Sequence, residues 1–326
     1  MRARLSTNGP SARFLSCSAT EASSVANIGD DSPAARVKRM TAPTFDAAQY
    51  KQTTHDQWEV AAEAWHRWGP TLRSWLGPAT ERMLDLAGVG SGMRVLDVAA
   101  CAGDQTLQAA VRVGPGGSVL ASDLSPAILA FAAAEAKRAG LANITTRVMD
   151  GEHLELADAS FDVVMSRVGL IYFPDQQRAL QEMRRVLVPG GRVAAIVYAP
   201  ADVNGFLSVP VSIVRRHAKL GPPLPGQPGP FSLGGAGVIE GAFVRAGFRD
   251  VKAETVTAPL RMASAAEYLR FAQESFGALH QILSSLDPAG RDAAWAEVGA
   301  GIQDFERPGK GFVGPCELVV AVGVRA

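Results

Sequence analysis

The sequence predicts an open α/β sheet covered by helices on both faces. Three observations point there. Between Arg94 and Ala199, short β-branched runs alternate with helical stretches. A turn of small residues follows the first of these strands, and an acid ends the second. Apolar runs are short; the one around Ile128 to Ala136 sits between Asp123 and Lys137 and carries Glu135, so no segment is expected to span a bilayer.

The elements follow in order. In residues 1 to about 42, Arg2, Arg4 and Arg13 precede the first acid, Glu21, serines are frequent and apolar periodicity is lacking. This stretch is expected to be a disordered tail, or an over-long start with Met40 as the initiator. A transit peptide is the alternative, and Glu21, Asp30 and Asp31 count against it. From Phe45 to Leu86 the pattern is helical. Trp58, Ala61, Ala62, Trp65 and Trp68 recur at three- and four-residue steps and share one face. Gly69-Pro70 breaks that helix, and a second is expected from about Pro78 to Ala87. Residues 43–93 should therefore pack on, or cap, the main domain.

Strands are expected at Arg94–Ala99, Ser118–Ser122, Ile144–Met149, Phe161–Ser166 and Arg192–Tyr198. The helices between them cover Asp104–Val113, Ser125–Ala139 and Asp175–Leu187, with Ser125 as cap and Pro126 in the first turn of the second. After Ala199 come a helix over Asn204–Leu220 and a Pro/Gly-rich loop over Gly221–Pro230. A helix over Val238–Ala246, a strand over Arg249–Thr257 and a long helical region over Ser264–Leu286 follow, and Glu317–Val324 is the last strand. The main domain is expected to be 94–326, with helical cap insertions at about 200–235 and 263–312.

Composition narrows the function. The 326 residues hold 32 Lys plus Arg and 32 Asp plus Glu, a net charge of zero. Such a balance leaves no electrostatic footprint for nucleic acid or an anionic membrane. Cys17, Cys101 and Cys316 are odd in number and far apart, so neither a disulfide framework nor a metal site is expected, and a cytoplasmic setting fits.

The chemistry concentrates in five segments: VLDVAACAGD at 95–104, SDLSPAIL at 122–129, MDGEHLEL at 149–156, SFDVVMSRVGLIYFPD at 160–175 and LVPGGRV at 187–193. Ligands of an open α/β sheet bind beyond the carboxyl ends of its strands, where small residues let the backbone come close and an acid can hold ribose hydroxyls. A carboxylate after the third strand, as in Asp150-Gly151-Glu152, can accept from an adenine amine. In order and spacing these segments resemble the class I S-adenosylmethionine-dependent methyltransferases, especially the small-molecule group typified by ubiquinone/menaquinone-biosynthesis C-methyltransferases. The resemblance is strong over about 94–199 and weak on both sides.

That resemblance implies a Rossmann-like sheet of seven strands, the last antiparallel between the fifth and sixth and supplied by Cys316–Val324. It implies S-adenosylmethionine as cofactor. Asp97, Ala99, Cys101 and Gly103 would surround its methionine part. Asp123 would bind the ribose, with Leu124 packing on the adenine. Asp150 and Gly151 would hold the adenine edge, and Ser166 and Arg167 would line the methionine moiety and the reaction centre. One departure stands out. Where the family has a glycine-rich turn, this chain has Ala99 and Cys101 and keeps only Gly103. The β-carbon of Cys101 should crowd the cofactor or resist φ > 0, unless the turn relaxes to φ < 0.

Methyl transfer from a sulfonium needs alignment and exclusion of water, with a base only where the acceptor must lose a proton. His217, His280, Tyr172 and Glu274 lie in segments able to reach the pocket, and no catalytic residue is singled out. The Asn/Asp-Pro-Pro-Tyr motif of nucleic-acid N-methyltransferases does not follow the fourth strand. The expected acceptor is a small, partly apolar metabolite. Two alternatives remain at this point: a methyltransferase fold used for binding or assembly without catalysis, and a nicotinamide-dependent oxidoreductase.

Overall fold

The computed structural model describes residues 45–224 and 227–326. The expectations for residues 1 to about 42, including Met40, lie outside the described residues.

Two helices come first, α1 (Ala47–Arg67) and α2 (Gly69–Ala87). Asp46 caps α1 by accepting from the Gln49 N–H. The sheet elements follow: β1 (Arg94–Val98), α3 (Asp104–Val113), β2 (Ser118–Asp123), α4 (Pro126–Arg138), β3 (Ile144–Val148), β4 (Phe161–Arg167), α5 (Gln176–Val186) and β5 (Leu187–Tyr198). Next are α6 (Gly205–His217), α7 (Val238–Arg245), β6 (Phe248–Thr257), β7 (Leu260–Met262), α8 (Ala265–Ser275), α9 (Gly277–Leu283) and α10 (Pro288–Gly301). The short strands β8 (Glu306–Arg307) and β9 (Gly311–Gly314) precede the last, β10 (Glu317–Arg325).

Seven strands form one sheet in the order β3-β2-β1-β4-β5-β10-β6. The strands from β1 to β5 are parallel, and β10 runs antiparallel to both β5 and β6. The expected Rossmann-like sheet with an antiparallel last strand is therefore the observed one. In β1 every residue after Arg94 is buried, as a central parallel strand covered on both faces requires. The order reverses between β1 and β4, and that switch point opens a crevice at the carboxyl edge.

Several boundaries differ from the sequence reading, among them the start of β5, which lies at Leu187 and not at Arg192. The second helix starts at Gly69, not near Pro78. Pro70 lies in its first turn, where a missing N–H is harmless, and Pro78 is accommodated inside it. Burial of Leu72, Trp75, Leu76, Ala79, Met83 and Leu84 along the helix offsets the bond lost at Pro78. The region expected to be one helix over Ser264–Leu286 breaks at Phe276, whose ψ of 79° leaves the helical range. Finally, β7, β9 and β8 make a small antiparallel sheet in and beside the insertion expected to be helical. Strands of two to four residues are too short to show alternation; the turn between β8 and β9 relies on left-handed Gly309 and Gly311 (φ 70° and 66°).

Candidate active site

The turn after β1 carries the main geometric surprise. Ala99 and Cys101 both sit in the left-handed region, at φ 59° and 51°, as does Gly103 at 83°. The turn has not relaxed to negative φ; it keeps a backbone suited to glycine with β-carbons in place. The Cys101 N–H donates to Asp123 Oδ2 (3.0 Å), and the Ala100 N–H donates to the Ser122 carbonyl (2.9 Å), so β2 pins the loop. Val168, just after β4, is left-handed too (φ 51°), an uncommon state for a β-branched residue, and its N–H donates to the Ile196 carbonyl. Ala99, Cys101 and Val168 all line one cavity. Such strain costs of order 1–3 kcal/mol per residue and persists where surrounding bonds over-determine it.

Two carboxylates flank an apolar slot in that cavity. Asp123, at the end of β2, is 8% exposed and also accepts from the Ser125 N–H (3.1 Å). Burial raises its pKa, against the opposing effect of its backbone hydrogen bonds. Asp150 accepts the Glu152 N–H at 2.9 Å on one oxygen and Lys51 Nζ at 2.6 Å on the other. Leu124, Met149 and Gly151 line the cavity beside them. A β-carbon on Gly151 would lie 2.7 Å from the Phe173 ring, so any other residue would have to displace that ring.

Three expected site residues do not line the cavity. Asp97 is fully buried under the turn. Thr106 Oγ1 donates to its Oδ2 at 2.6 Å, and Gln105 Nε2 bridges its Oδ1 (3.3 Å) and the Ala100 carbonyl (3.1 Å). Burial pushes the Asp97 carboxyl up to about 7, against the lowering effect of Thr106 and Gln105. Gly103 serves helix packing: a β-carbon there would meet the Ala132 β-carbon at 2.8 Å. Ser166 is fully buried at the end of β4, its Oγ without a protein partner. Its neighbour Arg167 does line the cavity, donating to Asp104 Oδ2 at 2.7 Å and to Thr80 Oγ1 at 3.1 Å. Arg167 and Cys101 also line an adjoining cleft with Arg73, Asp104 and Gln105.

The sequence reading missed α1 as a source of polar groups. Lys51, Thr54 and His55 continue the tryptophan stripe towards the N-terminus at the same three- and four-residue steps, and all line the cavity with Trp58 and Trp65. That periodicity was the available signal. Lys51 bridges Asp150 and Glu152 (2.6 and 2.5 Å). Burial alone would lower its pKa; the two carboxylates reverse the sign and raise it. Glu59 fastens α1 to the start of α4 by accepting from Ser125 Oγ and the Ala127 N–H. His55 is the histidine that lines this cavity, its Nδ1 lying 3.1 Å from Asp56 Oδ1.

Of the four reachable groups, Tyr172 lines the cavity, and burial raises its pKa well out of the physiological range. His217 pairs with Glu297, His280 bonds the Gln273 carbonyl and Glu274 accepts from Arg67 and Trp68, so these three are engaged elsewhere. Among the described residues, no cluster of three or more His, Cys, Asp or Glu could hold a metal ion. No described helix is long and apolar enough to cross a membrane.

The methyltransferase domain family matches residues 96–195, the segment that builds this carboxyl edge. The chain carries a class I S-adenosylmethionine-dependent methyltransferase domain. Among curated relatives, the ubiquinone/menaquinone biosynthesis C-methyltransferase of Idiomarina loihiensis is 38% identical over 36% of this chain and 47% of its own length. The nocamycin O-methyltransferase of Saccharothrix syringae is 29% identical over 58% of this chain and 70% of its own. Apart from that second enzyme, the chain spans about half the length of curated relatives that it matches at 34% to 38% identity. Among solved structures, the YcgJ protein of Bacillus subtilis shares the fold at a TM-score of 0.51 and 20% identity, over 76% of this chain and 98% of that one.

Proposed function

We propose that this chain transfers the methyl group of S-adenosylmethionine to a small, partly apolar metabolite. The observation that carries the reading is the pair of carboxylates, Asp123 and Asp150, beside the apolar slot of Leu124 and Met149, opening into a chamber walled by Trp58, Tyr172 and Phe276. When bound, the cofactor supplies an electrophilic sulfonium methyl. Asp123 would accept from the ribose hydroxyls, Asp150 and the Gly151 N–H would hold the adenine edge, and the turn of Ala99 and Cys101 would border the methionine part. Arg167 and Asp104, already paired, offer charge of both signs to the zwitterionic end. The aromatic wall excludes water, and His55, backed by Asp56, is the group able to take a proton where the acceptor must lose one. The C- and O-methyltransferases among its relatives have names that refer to metabolites, which supports the small-molecule reading.

Calorimetric titration with S-adenosylmethionine, S-adenosylhomocysteine and NAD tests the cofactor half. Binding of the first two and not the third is expected; NAD binding alone would favour an oxidoreductase. Mass spectrometry of a metabolite extract incubated with enzyme and labelled cofactor tests the transfer, and a chain that binds cofactor yet labels nothing would favour the non-catalytic reading. Asp123→Asn should weaken S-adenosylhomocysteine about ten- to hundred-fold, the loss of one charge-assisted acceptor. Unchanged affinity in a folded variant removes Asp123 from the site.

A further inference from the structure

The chamber also holds polar groups to which the proposed cofactor contacts assign no role. Ser275 is the last residue of α8, where Phe276 breaks the chain away before α9. It is 1% exposed and lines the cavity, and its Oγ has no hydrogen-bond partner. Other hydroxyls on or beside the helices bond back to a carbonyl: Thr80 to Leu76, Ser284 to Gln281, Ser285 to Ile282. Ser275 does not. A second unpartnered buried atom lines the same cavity, the amide Nε2 of Gln57 on α1. Gln57 lies against Gly277, where a β-carbon would stand 3.0 Å from Gln57 Cβ and 3.3 Å from Oε1. The glycine thus makes room for the amide between α1 and α9.

A buried donor left unmade is costly, so two orphans on residues that line one cavity invite a ligand atom between them. Both can donate: the amide through N–H, the serine through O–H. One carbonyl oxygen, with two lone pairs, has the capacity to accept from both. A hydrocarbon of the same shape satisfies neither. The cations that line the cavity are already paired, Lys51 with Asp150 and Glu152 and Arg167 with Asp104, which disfavours an anionic acceptor. Trp58 and Tyr172 meet edge to face at 6.4 Å and offer an aromatic wall for a ring. Gln57, Ser275 and Gly277 all lie outside the segment that matches the domain family.

We propose that Gln57 and Ser275 form an acceptor-recognition site for a neutral, ring-containing carbonyl compound, its oxygen held by both side chains and its ring against Trp58, Tyr172 and Phe276. This rests on the proposed small-molecule function and names the acceptor's class. The test uses 1-tetralone and its deoxygenated counterpart tetralin, each titrated by tryptophan fluorescence into wild type, Ser275→Ala and Gln57→Leu. Wild type should prefer tetralone by about ten-fold, and each substitution should remove most of that preference while leaving tetralin affinity unchanged. Ser275→Ala deletes one oxygen and decides the matter even if Gln57→Leu fails to fold. Equal affinity for the two probes, binding of neither, or a preference that survives Ser275→Ala overturns the proposal. S-adenosylhomocysteine is titrated separately. If it binds while tetralone shows no preference, only the acceptor site is wrong; if tetralone is preferred and S-adenosylhomocysteine does not bind, only the cofactor reading fails.

Discussion

Asp97 and Cys101 show how single residues set the properties of the turn. Asp97 is a buried carboxyl whose folded pKa lies near 7, above the ~3.9 of an unfolded chain. Between those values the native state keeps a proton that the unfolded state has lost, so this residue's contribution to stability falls as pH rises from about 4 to 7 and levels off above. Wild type is expected to melt at a lower temperature at pH 7.5 than at pH 5.5, and Asp97→Asn should flatten that slope. A slope unchanged in the variant would assign the titration to another group. Burial, reinforced by the Asp123 charge, raises the Cys101 thiol well above its ordinary pKa, which disfavours the nucleophilic thiolate. Because Cys101 already holds φ 51°, Cys101→Gly should relieve backbone strain worth roughly 1 kcal/mol or more, against an entropic cost of similar size. S-adenosylmethionine should bind Cys101→Gly more tightly and Cys101→Leu more weakly, with thermal melts as the control; equal affinities across the three proteins would mean that the side chain avoids the cofactor. The residue identities were legible here, but the turn's φ was not. Alanine and cysteine argue against a left-handed turn locally, and it takes the Asp123 carboxylate, from a different strand, to hold one.

At the scale of elements, the parallel strands and their helices were readable because each carries its own signal. The β-branched runs, the Ser125 cap and the glycine stops are local. The α1 interface was half readable. Its tryptophans announced a buried stripe, whereas Lys51, Thr54 and His55 on the same stripe resemble ordinary surface residues until α1 is laid over the strand ends. Lys51 is the clasp of that arrangement, and Glu59, also on α1, is its second anchor, holding the start of α4. Lys51→Met should loosen the clasp by about 1 kcal/mol, since the pair is partly exposed. Amide exchange near Tyr50–His55 should then rise by roughly five-fold, with α4 amides unchanged and the cofactor leaving faster. Exchange that rises equally throughout the chain would mean that the bridge supports the whole fold and not the clasp alone. The small sheet of β7, β9 and β8 had no legible signal, because its pairing is set by distant partners and two left-handed glycines.

For the molecule as a whole, besides the switch point between β1 and β4, one strand of the sheet lies out of chain order. The strand β10 lies between β5 and β6, pairing with β5 from Leu318↔Tyr198 to Val324↔Arg192 and with β6 from Glu317↔Thr257 to Arg325↔Phe248. Its middle residues are buried, and Leu318, Val320 and Ala321 are fully so. Synthesis runs from the N-terminus, so β5 and β6 leave the ribosome before the strand that joins them. Until residues 317–325 emerge, each presents an open edge beside apolar surface, the condition under which partly made chains associate with each other. A chain stopped at Cys316 should accordingly fail to yield soluble monomer, although it retains every residue of the cofactor slot. Soluble, cofactor-binding protein from such a chain would show that the sheet closes without its middle strand. The nascent protein therefore has a vulnerable interval whose length is set by translation speed, and a slow codon placed between β6 and β10 would prolong it without altering a single amino acid.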